Sequence, residues 1–322
     1  MSNPAFGFET TAEEVAEAHK AEIPGKTILI TGVSPNGLGS YTAKVLAMHD
    51  PKLLILASRT LSNLEAAQKE IADVAPSAAT RLLELDLGSI AKVREAGQKV
   101  GSWDDVPKID ILINNAGIMS TPWALSPDGI ESQFATNHIG HFLFTNLLMD
   151  KIVAAKGRIV NLSSAGHRFG PVRFEDWNFK DGTEYQPDAA YGQAKSANIL
   201  HAISLAEKLQ SKGVTAYSVH PGGIATNLAR SVPIEVLQKK GILDEDGNLN
   251  KNAPFKFKSH TQGTATTIAA ALDPNIADRS GAYLADCKVD HGEVWEKWAQ
   301  GQDNAEKLWA LSEKLVGEPL DV

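Results

Sequence analysis

An α/β fold, built as one domain around a doubly wound parallel sheet of about seven strands with helices on both faces, is predicted by three observations. Short apolar runs alternate with longer segments of helical period, which is the rhythm of a sheet covered on both sides. The runs are nearly continuous in Ile, Leu and Val, as strands buried from both faces require. The first run leads through a glycine-rich turn into a helix start, the context in which backbone amides can receive a phosphate.

The apolar runs are "KTILIT", "KLLILAS", "RLLELD", "IDILINN", "GRIVNLS" and "VTAYSVH", and "GAYLAD" at 281–286 supplies a seventh. Parallel order demands right-handed crossovers, so the ligand crevice belongs at the carboxyl ends of the strands. This Rossmann-type domain is expected over 25–290. An N-terminal helical extension at 1–24 carries a short amphipathic helix, "TAEEVAEAHKAE", at 11–22, and a C-terminal helical extension occupies 291–322. Residues 228–260 break the rhythm with prolines and the "DEDGN" turn. Lying after the sixth strand and near the crevice mouth, they read as a substrate lid, with a plain surface excursion as the alternative.

Bulk properties narrow the function. A chain of 322 residues with 43% hydrophobic composition can bury a sizeable core. Its net charge of -8 and scattered basic residues argue against a nucleic-acid surface. The single cysteine, Cys287, fits neither a disulfide framework nor a zinc cluster. No basic, apolar leader opens the chain, and no run approaches the roughly 18 apolar residues of a membrane span. The expectation is a cytoplasmic protein acting on a small molecule, with association as a homodimer left open.

The phosphate end lies in "ILITGVSPNGLGSYTAKVLA". Gly32 permits a sharp turn out of the strand, Gly37 allows close approach to a phosphate, and Gly39 lets the helix pack on the sheet. Ser34, Asn36 and Leu38 complete the loop and the first helical residue. An acidic residue at the end of the second strand would accept the adenosine ribose hydroxyls and repel a 2'-phosphate. Ser58 and Arg59 stand there instead, and a guanidinium suits phosphate oxygens, so NADP(H) is expected over NAD(H). Asp86 ends the third strand, next to Leu87, and is placed to accept from an adenine amino group. Asn114, Asn115, Ala116 and Gly117 end the fourth and let the backbone pass close to a nucleoside.

At the reacting end, Tyr191 and Lys195 in "YGQAK" stand four residues apart and share one helix face. A free phenol has a pKa of about 10 and is a poor base at neutral pH. A nearby ammonium favours the phenolate, which would let Tyr191 exchange a proton with a carbonyl or alcohol oxygen as hydride moves. His138, His141 and His167 lack a carboxylate or cysteine at ligand spacing, so no metal is expected.

Read in order, "TG…GLG", "NNAG", "YGQAK" and "HPGGIATNL" resemble the short-chain dehydrogenase/reductase superfamily across roughly residues 25 to 290. "DGIESQFATNHIGHFLFTNLL", "RIVNLSSAGH" and "YGQAKSANIL" resemble its retinol-dehydrogenase-like and WW-domain-oxidoreductase-like branch. The resemblance implies interconversion of a ketone or aldehyde with its alcohol. It implies that Lys195 bonds the nicotinamide ribose, that Ser164 donates to the substrate oxygen, with Ser163 as the alternative, and that Asn137 steadies a water in the proton path. It also implies that Pro221, Gly222 and Ile224 flank the nicotinamide and that Thr226 bonds its carboxamide or a phosphate. The chain departs from the family in its turn: four residues, "VSPN", separate Gly32 from Gly37 where three are usual. Tyr191 follows Ser164 by 27 positions, farther than in the shortest members, an insertion that the resemblance to this branch implies. Met119, Trp123, Phe169, Trp177 and Phe179 suggest an apolar or aromatic substrate, if they are not core. A non-catalytic dinucleotide-binding regulator on the same fold is the rival reading, and it would predict erosion of Asn137, Ser164, Tyr191 and Lys195.

Overall fold

The computed structural model describes residues 3, 5–289 and 295–320. Residues 290–294, which contain the expected boundary of the C-terminal extension, lie outside them, as do 1, 2, 4, 321 and 322.

Each apolar run forms a strand: β1 (Thr27–Thr31), β2 (Leu53–Ser58), β3 (Thr80–Glu84), β4 (Ile111–Asn114), β5 (Arg158–Leu162), β6 (Thr215–His220) and, late in the chain, β9 (Tyr283–Ala285). They run parallel in the order β3-β2-β1-β4-β5-β6-β9. Successive side chains point to opposite faces. In β1, Ile28 and Ile30 enter one core and Leu29 the other. The first core is closed by α1 (Ala12–Ala18), α2 (Leu38–Ala47), α3 (Leu61–Val74) and α10 (His260–Leu272). The second is closed by α4 (Ile90–Gly101), α6 (Gly140–Leu147), α8 (Pro187–Leu209) and α11 (Gln302–Val316).

The sheet has eight strands, not about seven. β10 (Lys288–Val289) turns back antiparallel on β9 through a two-residue connection, Asp286 and Cys287, at φ 50° and 62°. Positive φ at both central residues is what a tight hairpin requires. Asp tolerates that region, but cysteine gives no turn signal, so the sequence concealed the eighth strand. The extension expected as a helix at 11–22 is shorter: α1 ends at Ala18 and a single 3-10 turn, Lys20–Glu22, follows.

The helix before β5 is composite. α5 (Ser132–Phe134) passes through a π segment, Ala135–Ile139, into α6, and α7 (Met149–Ala155) follows. Within 228–260 the chain forms α9 (Ile234–Lys239) and the bridge Leu243↔Leu249. It then closes with β8 (Phe257–Lys258), which pairs with β7 (Gly223–Ile224) just past β6. No described helix is long and apolar enough to cross a membrane.

Candidate active site

The phosphate turn is built around its extra residue. Gly32 takes φ 73°, and a Cβ there would lie 2.6 Å from Ala116 Cα. The surplus is absorbed by a turn in which Gly37 N donates to Ser34 O at 3.1 Å, with Pro35 second and Asn36 third at φ 59°. Proline second and a positive-φ Asn third match a type II turn. A side chain at Gly39 would strike Asn115 Nδ2 at 2.6 Å, so α2 lies hard against the end of β4. His260, at the start of α10, donates from Nε2 to Asn36 O at 3.2 Å and holds the bulged turn from outside.

Ser58, the last residue of β2, is partly buried, and Arg59 just past it is exposed, without a side-chain hydrogen bond or ion pair among the described residues. Asp86 Oδ1 accepts from Gly88 N at 3.0 Å, which sets the bend after β3, and Leu87 is buried beside it. Asn114 is an interior residue instead, donating to Thr145 Oγ1 and Asn161 Oδ1 at 3.0 and 2.9 Å. Asn115, Ala116 and Gly117 form the strip between the phosphate turn and the reacting end.

At that end α8 presents Tyr191 and Lys195 together, with Lys195 Nζ 5.6 Å from the Tyr191 ring centre. Both are buried. Lys195 Nζ donates to Leu162 O at 2.9 Å. Ser163 points inward and donates to Lys195 O at 2.8 Å, a structural use that leaves Ser164 as the accessible hydroxyl. Ser164 Oγ accepts from Gly166 N at 3.0 Å, and its hydroxyl is within hydrogen-bonding reach of the Tyr191 phenol. Gly166 is required there, because a Cβ would lie 2.5 Å from Tyr191 Cε1.

Asn137 sits inside the π segment, fully buried. Its Oδ1 accepts from Ile118 N at 2.8 Å and its Nδ2 donates to Ile118 O at 2.9 Å, so the side chain acts as a short strand partner for the strip after β4. A Cβ on Gly117 would sit 3.2 Å from Asn137 Oδ1 and 3.5 Å from Lys195 Nζ. Glycine keeps that space open, and with the bare turn at Gly32–Gly39 it makes a cradle suited to a dinucleotide.

Pro221 to Ile224 follow β6, and Thr226 Oγ1 accepts from Leu228 N at 3.2 Å, capping a short 3-10 turn. Ile224 reaches Gly263, whose Cβ would lie 2.5 Å from Ile224 Cγ1 and 3.5 Å from Leu38 Cδ2. The stretch after β6 and the first residue of α2 therefore meet over one glycine of α10.

The electrostatics differ from a simple phenol and ammonium pair. Burial pushes Tyr191 up to about 12, and only the Ser164 hydroxyl pulls it back. Burial also brings Lys195 down to about 8. Desolvation disfavours both charged forms and outweighs any lowering of the phenol by the lysine in the chain by itself.

Sequence reasoning missed a buried string beneath the site. Thr31 Oγ1 accepts from Asn115 N and Ala116 N, both at 3.0 Å, and donates to His141 Nε2 at 2.8 Å. His141 Nδ1 then donates to Asn137 O at 3.1 Å, and burial holds the ring neutral by lowering its pKa to about 4. The spacing of Asn137 and His141, one helical turn, was the available signal. His167 stands apart, against Tyr283, and among the described residues no group of three potential ligands gathers for a metal. Of the aromatics expected along the approach, Phe179 is core, Trp177 packs against core, Trp123 stacks edge-on with Tyr185 at 5.2 Å, and Phe169 is 56% exposed.

The profile of the short chain dehydrogenase family matches residues 26–175. The chain is 41% identical to short-chain dehydrogenase TIC 32 A, chloroplastic, of Brassica napus, over 97% of this chain and 94% of that one. It is 38% identical to retinol dehydrogenase 13 of Homo sapiens, over 92% and 86%. Among solved structures, an uncharacterised protein from Mycobacterium paratuberculosis superposes with a TM-score of 0.70 at 30% identity, covering 94% of this chain and 98% of that one. A structure from Beutenbergia cavernae, holding NADP at low occupancy, superposes at 0.61 with 19% identity over 82% and 96%, a likeness of fold alone.

Proposed function

The chain belongs to the short-chain dehydrogenase/reductase family of NAD(P)-dependent oxidoreductases acting on alcohol and carbonyl groups, and we propose that Tyr191 is its proton donor and NADP(H) its preferred cofactor. When bound, the nicotinamide supplies or takes up hydride. The protein's part is to hold the oxygen and manage its proton. Ser164, whose hydroxyl faces the Tyr191 phenol, donates to the substrate oxygen and stabilises the charge developing there. Tyr191, kept protonated by burial, gives that oxygen its proton, and in the reverse direction takes one back. Lys195 stands beneath the phenol with protons beyond the one given to Leu162 O, and can restore what Tyr191 loses. Asn137 keeps the strip after β4 fixed against Lys195.

Exposed Arg59, without a side-chain partner among the described residues and placed just past β2, supports a 2'-phosphate over a bare ribose. The insertion at 228–260, pinned to the site through β7 and β8, is read as a substrate lid. An apolar substrate is favoured by the exposed rings of Phe169 and Phe255 and by relatives named for retinol. The observation that carries this reading is the convergence of Ser164, Tyr191 and Lys195 at the carboxyl end of β5, beside a glycine-lined strip.

The test is a panel of aldehydes and ketones followed by NADPH absorbance. Tyr191→Phe is expected to abolish turnover while leaving NADPH affinity within about threefold, since the phenol hydroxyl acts on the transition state. Retained turnover would defeat the proton-donor assignment.

A further inference from the structure

His220 closes β6, and its ring is only partly open to solvent. Its Nδ1 lies 3.1 Å from Ala165 N and 3.3 Å from Gly222 N. Both partners are backbone donors, so Nδ1 is an acceptor and the neutral ring carries its proton on Nε2. One nitrogen thus ties the residue after Ser164 to the turn that opens the Pro221–Thr226 stretch.

The sheet does not make this tie. The last paired residues of β5 and β6 are Leu162 and Val219, and Ser163 N donates to Val219 O at 2.8 Å as the final rung. Past it the two chains separate, one toward Ser164 and the other into Gly222 at φ 96°. The bond from Gly222 N back to a side chain two residues earlier is the geometry that Asn adopts in turns, here made by a histidine. Lys258 and Arg168, with His167 and Asp286, are the charged and titratable groups around the ring, and burial keeps it neutral with a pKa lowered to about 4.

We propose that His220 is a positioning residue, fixing the spacing between the Ser164 hydroxyl and the stretch flanking the nicotinamide, and so between the oxygen to be protonated and the carbon that exchanges hydride. This rests on the roles given above to Ser164 and to Pro221–Thr226. Misplacement on the scale of 1 Å at a reacting centre costs about a hundredfold in rate, so the link should be visible in kcat.

Three full-length variants test it. His220→Asn places an oxygen at the same number of bonds from the backbone as Nδ1. His220→Gln carries its oxygen one bond too far, and His220→Leu has no acceptor. Each is measured with NADPH bound, for kcat and KM on a carbonyl substrate of the wild type, and for amide exchange of the peptides holding Ala165 and Gly222. His220→Leu and His220→Gln are expected to lose about ten- to a hundredfold in kcat with KM within about threefold, and to exchange faster in both peptides. His220→Asn is expected to recover kcat and protection to within about threefold. If His220→Leu does not fold, the contrast between Asn and Gln decides. Wild-type kcat in His220→Leu or His220→Gln, or equal loss in Asn and Gln, overturns the assignment and leaves the functional reading standing. A wild type inert toward every carbonyl and alcohol with either nicotinamide cofactor overturns the functional reading, and this one with it.

Discussion

Tyr191 and Lys195 could be paired from spacing alone, because residues one helical turn apart share a face. Their titration could not, because it depends on how completely the fold encloses them. A buried ammonium held at about 8, with Leu162 O as its hydrogen-bond partner, destabilises the chain at neutral pH. Its folded pKa lies below the unfolded value of about 10.4, so the unfolded chain binds more protons between the two, and stability contributed by this site rises as pH climbs from 8 to about 10.4. Lys195→Met removes the buried charge and leaves Leu162 O satisfied by Asn198 Nδ2 at 2.9 Å. It is expected to abolish turnover yet stabilise the fold by about 1–3 kcal/mol at pH 7, an advantage that shrinks toward pH 10. Melting curves of both proteins from pH 7 to 10 check this, and a less stable variant at pH 7 would contradict it. Arg59 poses the opposite case, an exposed group legible from its place after a strand. Arg59→Ala is expected to weaken NADPH about tenfold while leaving NADH nearly unchanged, as the loss of one charge-assisted phosphate contact implies. Titration by cofactor fluorescence reads both affinities, and a parallel loss for NADH would remove the phosphate role.

Among elements, the strands were legible because both faces of the sheet are covered, so every residue of β1 is buried and the apolar run is unbroken. The π segment at Ala135–Ile139 was not, since its register is set by Asn137 reaching Ile118 and His141 reaching back to Asn137, contacts that only the folded chain brings about. β7 and β8 were hidden for another reason. Two-residue strands carry no periodicity. Their pairing nevertheless anchors the 228–260 insertion at one end, while a further contact is an ion pair between Lys240, just past α9, and Asp188 in the first turn of α8. Asp188 also accepts from Ser120 Oγ at 2.7 Å, which extends the link to the strip beside the site. Both charged side chains are 40% exposed, so the pair is worth at most about 1 kcal/mol and is screened by salt. Lys240→Ala is therefore expected to raise the carbonyl KM about two- to fivefold without changing NADPH affinity. Steady-state kinetics at low and high salt should show the gap between wild type and variant closing as ionic strength rises. A gap unaffected by salt would mean that the ion pair does not hold the insertion.

Over the whole molecule, the N-terminal segment joins parts that are far apart in sequence. Glu9 pairs with Lys256 and accepts from Gln262 Nε2 at 2.7 Å, and Phe8 lies beneath Lys256 and Lys258 at 5.0 and 4.8 Å. Glu13 accepts from Tyr41 in α2 at 2.8 Å and from Thr261 in α10. Only the amphipathic character of this segment was visible beforehand, because, Tyr41 apart, these partners lie some 250 residues away in the chain. The helix thus touches the helix behind the phosphate turn and the helix whose His260 holds Asn36, and Phe8 just ahead of it touches Lys258 in the strand that anchors the insertion. Phe6, Ala12, Val15 and Ala16 are buried in doing so. Burial of Phe and Val side chains contributes about 1.5–3 kcal/mol each and Ala less, partly offset by the entropy of ordering the segment. A chain shortened to begin at Lys20 is expected to lose about 3–5 kcal/mol of stability and to bind NADPH several-fold more weakly, because His260 and Tyr41 lose the support that presses α10 and α2 onto the turn at Asn36. Denaturant melts with and without saturating NADPH separate the two effects. Cofactor binding should recover less stability in the shortened chain than in the full one, since the gain scales with affinity. An equal gain in both would show the segment to be a brace for the core alone, with no hold on the cofactor turn.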